Sequence, residues 1–400
     1  MPLKRFFVFL VCAIAANSGW ADPTYEKREI DRHVIHIVTI PPREALPYLV
    51  KAQEGMFGRA SVSSCARQFE NPIAAINAGF FEIDLDADGV PSATFIVDGK
   101  IFGADIRSHS CLVIREGGDL EIVPCQLEAF LTLGSTRIPI TLVNRTIRQS
   151  DKIILYTDRW GTQTRTPHED RIEFSFDADC HCTSLAEHGN NPIPIGGYVV
   201  SLPKEKVPPE VLQGERSSIM FHFTFGPHFV PHAKDSWIAG IPQVVRGGKV
   251  TDDIQDPRMP EHFRNTCHAR TLIGLRKDGT IVAIVAEHRA SLDFNKMSLG
   301  EVRTYLRNNK EILSTEHQDQ IGGLTIDQIL TALRKIDEKK AKIEGLTLQE
   351  AAEIMIGLEC VDALNLDGGK SSTMFYKGKT ITDGEERAVS DSLVFAKAAP

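Results

Sequence analysis

The chain has 400 residues, of which 42% are hydrophobic and 24% are charged, and its formal net charge is −8. A chain of this length can bury a sizeable core and suggests one large domain or two. Because nucleic-acid-binding proteins carry a basic footprint, the acidic balance argues against a nucleic-acid partner.

Residues 1–21 have the pattern of a secretory signal peptide. Lys4 and Arg5 precede an apolar stretch, and the small residues up to Ala21 suit cleavage before Asp22. The apolar stretch of about 11 residues is shorter than the roughly 20 that a membrane-spanning helix needs. Removing the two cations takes the net charge from −8 to −10. We therefore expect a secreted or periplasmic protein with no transmembrane segment after cleavage.

Residues 22–69 are predicted to form an N-terminal segment of strands with a helix. Apolar alternation predicts a strand over residues 33–38, and the two prolines at 41–42 would start a short helix over residues 44–51. Similar alternations, broken by Gly, Pro, Asn and Asp, continue to about Val285. This pattern predicts a β-rich body.

Asn77 and Gly79 follow a predicted strand and precede two aromatic residues. The Asn77 side chain offers both a donor and an acceptor, and a glycine permits close approach of the backbone to a ligand. Both residues are therefore candidates for substrate binding. An ordinary turn is the alternative.

Asp84, Asp86 and Asp88 match the opening of a calcium-binding loop. Phe95 stands where the bidentate Glu of an EF-hand would be, so an EF-hand is excluded. Two interpretations stay open, a calcium site of another type and a solvated acidic turn. The sequence implies no other metal or cofactor.

The cysteine count is odd once Cys12 of the signal peptide is removed, so at least one thiol has no partner in the chain. Cys111 and Cys125 flank two predicted strands that fold back at Gly117-Gly118. Their side chains would then lie nearly opposite one another, which would allow a cross-strand disulfide.

Arg270 and Thr271 begin a predicted hairpin whose second strand ends near Glu287. A guanidinium at the mouth of a strand suits bidentate capture of phosphate or carboxylate. A surface ion pair is the alternative for Arg270. Glu287 is a carboxylate at the other end of the same hairpin.

Residues 292–344 are predicted to form a charged helical insertion, with helices over 298–313 and 325–343. A solvated structural insertion is favoured over a lid or a partner-binding hairpin. Thr347 and Glu350 form a capping box that opens a further helix through Leu358.

Residues 365–374 (NLDGGKSSTM) place a carboxylate, two glycines, a cation and three hydroxyls after a short buried strand. The glycines let backbone amides approach a ligand, so this segment suits the binding of an oxyanion. Asp-Gly-Gly is also an ordinary tight turn. The hydroxyl cluster after the turn favours a functional site over an ordinary turn.

Five ordered segments together resemble the phosphodiester glycosidase family, over about residues 70–397. They are residues 77–81 (NAGFF), 240–249 (GIPQVVRGGK), 270–274 (RTLIG), 345–352 (GLTLQEAA) and 365–374, followed by 385–391 (EERAVSD). The resemblance implies an α+β fold, with a mixed and curved β-sheet body and packed helices. It also implies hydrolysis of the bond between a sugar anomeric carbon and a phosphodiester oxygen. Two features depart from the family, Lys370 in place of a third glycine and the long stretch before Gly345.

Asp367 is our candidate for the catalytic carboxylate, because an oxocarbenium-like state is stabilised or attacked by a carboxylate. Glu287 is the second candidate. Arg270, Lys370 and the backbone amides after Gly368 would hold the departing phosphate. The predicted substrate-binding residues are Asn77, Gly79, Arg270, Thr271, Asn365, Gly368, Gly369, Lys370, Ser371, Ser372 and Thr373.

Two rival functions stay open. One is an O-glycosidase acting on an envelope or capsule polysaccharide, with Glu287 or Glu82 as the protonated acid. The other is a non-catalytic glycan-binding or envelope-assembly protein. In each case the predicted partner is a carbohydrate.

Overall fold

A computed structural model describes residues 22–30, 32–104, 109–133, 135–212, 219–225, 234–288, 298–308, 321–325, 327–329 and 343–397. The predicted signal peptide and most of the predicted insertion lie outside these residues. Within them the chain is mostly β-sheet with few helices, as the sequence predicts. In this part of the chain no helix is long and apolar enough to cross a membrane.

The strands, in chain order, are β1 (Thr24–Ile30), β2 (His33–Ile40), β3 (Leu46–Lys51), β4 (Pro72–Asn77), β5 (Phe95–Val97), β6 (Lys100–Gly103), β7 (His109–Ile114), β8 (Leu120–Cys125), β9 (Leu127–Leu133), β10 (Thr136–Pro139), β11 (Leu142–Val143), β12 (Ile154–Thr157), β13 (Arg171–Phe176), β14 (Cys182–Ala186), β15 (Tyr198–Pro203), β16 (Ile219–Phe225), β17 (Ser236–Gly240), β18 (Gln243–Arg246), β19 (Lys249–Val250), β20 (Arg270–Arg276), β21 (Ile281–Ala286), β22 (Cys360–Asn365), β23 (Met374–Tyr376), β24 (Lys379–Thr380) and β25 (Asp391–Ala396). The α-helices with described bounds are α1 (Val62–Ala66), α2 (Pro209–Leu212), α3 (Glu261–Asn265), α4 (Leu299–Asn308) and α5 (Leu348–Gly357). Short 3-10 helices occur at Lys204–Lys206, Asp252–Gln255, Ile321–Gly323 and Gly369–Ser371.

Five sheets are built from these strands. Their strand orders are β1-β2-β21-β20-β22-β18-β19, β24-β23-β4-β25-β3, β6-β5-β17-β7-β8, β11-β12-β15-β13-β14 and β10-β9-β16. Neighbouring strands are antiparallel, apart from the parallel pair β11 and β12. The first two sheets position the candidate site.

The seven-stranded sheet is covered on both faces, which explains why β20 and β21 are almost continuously apolar. Ile273 and Val285 belong to a core on one face, and Leu272 and Ile284 belong to a core on the other. Helix α5 packs on the second face. Gly274 makes room for it, since a Cβ there would lie 2.3 Å from the Met355 Cε.

The predicted capping box at the start of α5 is confirmed. The Thr347 hydroxyl accepts a hydrogen bond from the Glu350 N–H at 3.2 Å, and the Glu350 carboxylate accepts one from the Thr347 N–H at 2.9 Å. This reciprocal pair satisfies backbone donors that the first helical turn leaves without partners.

The predicted helix over residues 44–51 is wrong, because β3 occupies most of that stretch. It pairs along its whole length with β25, from Leu46 opposite Ala396 to Lys51 opposite Asp391. Pro47 has no N–H to donate, and β3 lies at the edge of its sheet, where a strand tolerates proline.

The predicted disulfide between Cys111 and Cys125 is not found. Strands β7 and β8 form the expected hairpin, but Cys111 lies opposite Val123 and Cys125 lies opposite His109. The two cysteines are therefore diagonal neighbours, offset by two residues. No disulfide joins any of the cysteines in the described residues.

Helix α4 lies in the predicted insertion at 292–344. The predicted helix over 298–313 coincides with α4 where it is described. The remainder of the insertion, apart from residues 321–325, 327–329 and 343–344, lies outside the described residues.

Candidate active site

Asn77, at the end of β4, joins the two sheets that meet at the site. Its side chain is 1% exposed. The amide nitrogen donates to the Asp367 carbonyl at 2.7 Å, and the amide oxygen accepts from the Thr271 hydroxyl at 2.8 Å and the Thr373 N–H at 3.1 Å. Asn77 and Thr271 therefore hold the turn around Asp367 from behind and do not face a ligand.

The turn after β22 is fixed by backbone hydrogen bonds to both sheets. The Leu366 N–H donates to the Thr271 carbonyl at 2.8 Å, and the Asp367 N–H donates to the Ala78 carbonyl at 3.0 Å. The adjacent Gly369 N–H donates to the Ala269 carbonyl at 2.9 Å. Asp367 thus lies between the ends of β4 and β20.

Two features explain the paired glycines of this turn. A Cβ on Gly368 would lie 2.6 Å from the Ala269 carbonyl oxygen, which is backbone and cannot move aside cheaply. Gly369 has a φ of +61°, a conformation that side chains disfavour. Glycine is therefore favoured at position 368 by the nearby backbone and at position 369 by the positive φ.

The Asp367 carboxylate is only partly exposed. Burial raises its pKa to about 6, against the lowering effects of hydrogen bonds from the Ser371 side chain and the Gly368 N–H. The nearby Asp391 charge raises the pKa further and the Arg387 charge lowers it. Asp367 is therefore ionised at neutral pH but holds a proton more readily than an ordinary aspartate.

Gly79 donates a hydrogen bond to a carboxylate of the protein itself. Its N–H donates to Asp391 Oδ1 at 2.5 Å, and a Cβ on Gly79 would lie 2.8 Å from the Ile238 Cδ1. Burial raises the pKa of Asp391, which is 1% exposed. The Gly79 N–H is therefore engaged by Asp391, and its predicted contact with substrate stays a prediction.

A cleft of about 520 Å³ opens beside the Asp367 turn. Gly369, Lys370, Ser372 and Thr373 line one wall. Residues next to the ends of β20 and β21 contribute Ala269, Glu287 and His288. Strand β24 contributes Thr380, and the segment after it contributes Thr382 and residues 383–388. The turn and the hairpin, which are far apart in the sequence, thus meet at one cavity.

Asp367 is connected to this cleft through a hydroxyl. The Ser371 side chain hydrogen-bonds to the Asp367 carboxylate, and Arg387 Nη1 donates to the Ser371 Oγ at 3.4 Å. Arg387 lines the cleft and also lies over the Phe81 ring, 5.5 Å from its centroid. The Ser372 hydroxyl is buried without a hydrogen-bond partner beside the same cleft.

Two cations and several carboxylates face the cleft. Lys370 is exposed and Arg387 is half-buried, so both can meet an anionic ligand. Glu386 is committed to the protein, because its carboxylate accepts the Ser63 N–H and Ser63 hydroxyl, each at 2.7 Å. It thereby anchors the start of α1.

Arg270 does not line the cleft. Its side chain is 1% exposed, and it donates to the Leu346 carbonyl at 3.0 Å and the Phe263 carbonyl at 2.7 Å. Burial lowers the pKa of its guanidinium to about 10. The side chain turns inward to satisfy backbone carbonyls, so the alternative of a surface ion pair is not found. The predicted phosphate contact stays a prediction.

Glu287 does line the cleft and is 7% exposed. Its Oε1 accepts from the Asp383 N–H at 2.6 Å and lies 2.9 Å from His36 Nε2. Asn365 lies deeper, where its side-chain amide donates to the Ile241 carbonyl at 2.6 Å. Of the two candidate catalytic carboxylates, Glu287 lines the cleft itself, whereas Asp367 is linked to it through Ser371. Asn365 supports the end of β22.

The other acidic candidates lie elsewhere. Glu82 accepts from Arg148 at 2.6 Å and is absent from the cleft lining. Asp84 pairs with the same Arg148, and Asp88 lies 2.9 Å from Arg59. Across the described residues, no three His, Cys, Asp or Glu side chains form a group that could hold a metal ion. The calcium site stays a prediction.

Sequence reasoning missed three residues of this site, namely Arg387, Asp391 and His36. The first two belong to the segment EERAVSD, which carries part of the family resemblance. Their position in this motif could have identified them as site residues. His36 lies in an apolar strand and had no such signal.

A family model described as phosphodiester glycosidase matches residues 191–309 and 323–396. The match is shorter than the expected 70–397 and leaves out the segment around Asn77. Its gap at 310–322 falls within the predicted insertion.

Among relatives, an uncharacterized protein of Rickettsia conorii is 30% identical over 291 residues, which make up 72% of this chain and 97% of that protein. The crystal structure of a hypothetical protein from Synechocystis has a TM-score of 0.66 at 19% identity. The match covers 94% of this chain and 62% of the Synechocystis chain, so the two proteins share a fold. A third match is the catalytic domain of zebrafish N-acetylglucosamine-1-phosphodiester alpha-N-acetylglucosaminidase. The match covers 94% of this chain and 83% of the zebrafish chain, with a TM-score of 0.41 at 14% identity. That likeness is too distant to support an argument about fold.

Proposed function

The chain belongs to the phosphodiester glycosidase family, and from that membership we propose that it hydrolyses a sugar-1-phosphodiester. The bond that breaks joins the sugar anomeric carbon to a phosphodiester oxygen. The signal-peptide pattern of residues 1–21 supports a location outside the cytosol.

Asp367 is the proposed catalytic carboxylate, and its environment is the observation that carries the proposal. It is a partly exposed aspartate whose pKa burial raises to about 6, beside a cleft that presents Lys370 and Arg387. At neutral pH it is an anion in a poorly hydrated place. Such a carboxylate can stabilise or attack a carbon that develops positive charge.

Lys370 and Arg387 are the proposed phosphate contacts, and Arg387 replaces Arg270 in the role that was predicted from the sequence. The departing phosphate monoester has a second pKa of about 6, so it leaves without much help from an acid. Stabilisation of its negative charge then matters more than protonation. Glu287, which lines the cleft, is the second proposed carboxylate.

The proposal is tested by release of free sugar from a panel of α- and β-linked sugar-1-phosphate methyl esters. We expect turnover by the wild-type protein and a loss of about 10⁴-fold or more in kcat for Asp367→Asn, the scale of removing one member of a catalytic group. Asp119→Asn removes an exposed carboxylate from a hairpin turn and is the matched control. Turnover that survives Asp367→Asn would refute the assignment of Asp367.

Lys370→Ala should raise KM about five-fold, because an exposed ion pair provides at most about 1 kcal/mol. Added salt should shrink that difference, since it screens exposed charges. The control is Lys100→Ala, which removes an exposed cation from β6.

In the rival O-glycosidase, Asp367 is still the carboxylate and Glu287 or Glu82 is the protonated acid. The raised pKa of Asp367 also suits a second role for this residue, that of a general acid, beside its role as a carboxylate. The pH profile separates the two. If Asp367 acts as a carboxylate, kcat/KM rises with pH and levels above about pH 6, whereas a general acid gives a rate that falls above that pH. A non-catalytic glycan-binding protein would release no sugar from any member of the panel.

A further inference from the structure

His36 links the cleft to the N-terminal strand through hydrogen bonds at both ring nitrogens. Its Nε2 lies 2.9 Å from Glu287 Oε1, and its Nδ1 lies 2.9 Å from the Tyr25 hydroxyl. The His36 side chain is 1% exposed, and Glu287 lines the cleft. Tyr25, His36 and Glu287 therefore form a continuous chain, which we call the Tyr25 relay.

The donors in this relay follow from the chemistry of its ends. A carboxylate only accepts, so the proton on the side of Glu287 belongs to Nε2. In the neutral imidazole, Nδ1 then accepts from the Tyr25 hydroxyl. Burial raises the pKa of Tyr25, which keeps that hydroxyl protonated. Glu287 Oε1 receives a second donor, the Asp383 N–H at 2.6 Å.

The position of His36 in the strand makes this arrangement informative. Val38 and Ile40, on the same face of β2, belong to an apolar core. An apolar residue at position 36 would pack there without needing partners, and replacing buried polar groups by apolar ones is often neutral or stabilising. Core packing alone therefore does not account for a histidine whose two nitrogens are both engaged.

We propose that His36, oriented by Tyr25, is a positioning residue that orients the Glu287 carboxylate in the cleft, where Glu287 accepts the proton of the attacking water. This inference rests on the proposed function. In the step, one water O–H bond breaks and its proton joins the Glu287 carboxylate. The water oxygen bonds to the anomeric carbon, and the bond from that carbon to its leaving oxygen breaks, with the electron pair kept by that oxygen.

Other charged groups close to the relay affect its pH dependence. Lys27 and Glu29 on β1 interact electrostatically with Glu287, and Asp383 interacts with Tyr25. His288 follows Glu287 in the cleft wall. Comparisons between variants should therefore keep these four residues unchanged.

Two variants remove parts of the relay without removing Glu287. His36→Gln can keep a donor to Glu287 but cannot serve as an imidazole, and Tyr25→Phe removes only the hydroxyl. We expect kcat to fall about 100-fold in His36→Gln, the lower end of what a positioned proton-transfer group contributes, with KM little changed. A smaller fall of about five- to ten-fold is expected for Tyr25→Phe, which leaves the Nε2 donor in place.

Tyr376→Phe is the matched control. It removes a hydroxyl that donates to the Pro23 carbonyl at 2.8 Å, from a ring 5.6 Å from the Tyr25 ring. It should keep wild-type kcat. Melting temperatures of the variants exclude loss of folding as the cause, and the relay variants should also shift the pH profile of kcat/KM, which a merely structural role would not do.

Wild-type kcat in both His36→Gln and Tyr25→Phe, with Glu287→Gln inactive, would overturn the relay while leaving the proposed function intact. Full activity of Glu287→Gln would overturn it as well. If the wild-type protein hydrolyses no sugar-1-phosphodiester, the proposed function fails, and ¹⁵N-histidine NMR then decides the relay. A protonated Nε2 on His36 that responds to Tyr25→Phe supports the relay, and an unprotonated Nε2 refutes it.

Discussion

Replacing Asp367 by asparagine should stabilise the protein at neutral pH even as it removes activity. Burial raises the Asp367 pKa from 3.8 to about 6, so folding disfavours its ionised form. A shift of about two units corresponds to about 3 kcal/mol, since each unit is 1.36 kcal/mol. Because the folded-state pKa is raised, the free-energy cost of ionising Asp367 in the folded protein is absent below pH 4. It grows as the pH rises towards 6 and reaches its full value above pH 6. Asparagine has no charge to bury and avoids the cost at every pH.

The assay is urea unfolding of the wild-type and Asp367→Asn proteins at several pH values between 4 and 8. The difference in unfolding free energy in favour of the variant should grow by about 2–3 kcal/mol across that range. Asp119→Asn, at an exposed position, controls for the loss of one negative charge from the chain. A difference that stays constant with pH would refute the reasoning, because it would mean that folding does not change the proton affinity of Asp367.

Two further predictions concern the turn itself. Asn77→Ala should lower the unfolding free energy by about 2–4 kcal/mol in the same urea titration. The substitution leaves the Thr271 hydroxyl, the Thr373 N–H and the Asp367 carbonyl without the Asn77 side chain as their partner. The control is Asn71→Ala, at the exposed residue before β4, which should have little effect. Gly368→Ala should cost about 1–3 kcal/mol and lower kcat, because its Cβ would press on the Ala269 carbonyl oxygen. Gly357→Ala, where a Cβ meets open space in α5, should be neutral or stabilising, and equal effects of the two substitutions would contradict the steric argument.

The strands of the site could be predicted because their apolar patterns are local. The hairpin of β20 and β21, the short strand before Asp367 and the capping box of α5 all lie where the sequence places them. The helix over residues 44–51 failed for a non-local reason. Its residues pair with β25, which lies more than 300 residues away, and pairing of that kind outweighs a start signal from two prolines.

The directions of side chains could not be predicted from type and spacing alone. A guanidinium at a strand mouth, such as that of Arg270, suits a phosphate site, but its strand places it among carbonyls that need donors, so it turns inward. Arg387 lines the cleft instead. Likewise, the register of β7 and β8 decides whether two cysteines meet, and a shift of two residues moves Cys111 opposite Val123.

The candidate site therefore separates into a buried half and a cleft-facing half. Asn77, Gly79 and Arg270 are all fixed by contacts with the protein itself, through Asp367, Asp391 and the Leu346 carbonyl. Substitutions in this half should change stability and kcat together, because they move the turn that carries the proposed catalytic carboxylate. Lys370 lies in the other half, with its side chain exposed at the cleft. Since its side chain is exposed, we expect a substitution at Lys370 to alter the choice of substrate while leaving the turn around Asp367 in place.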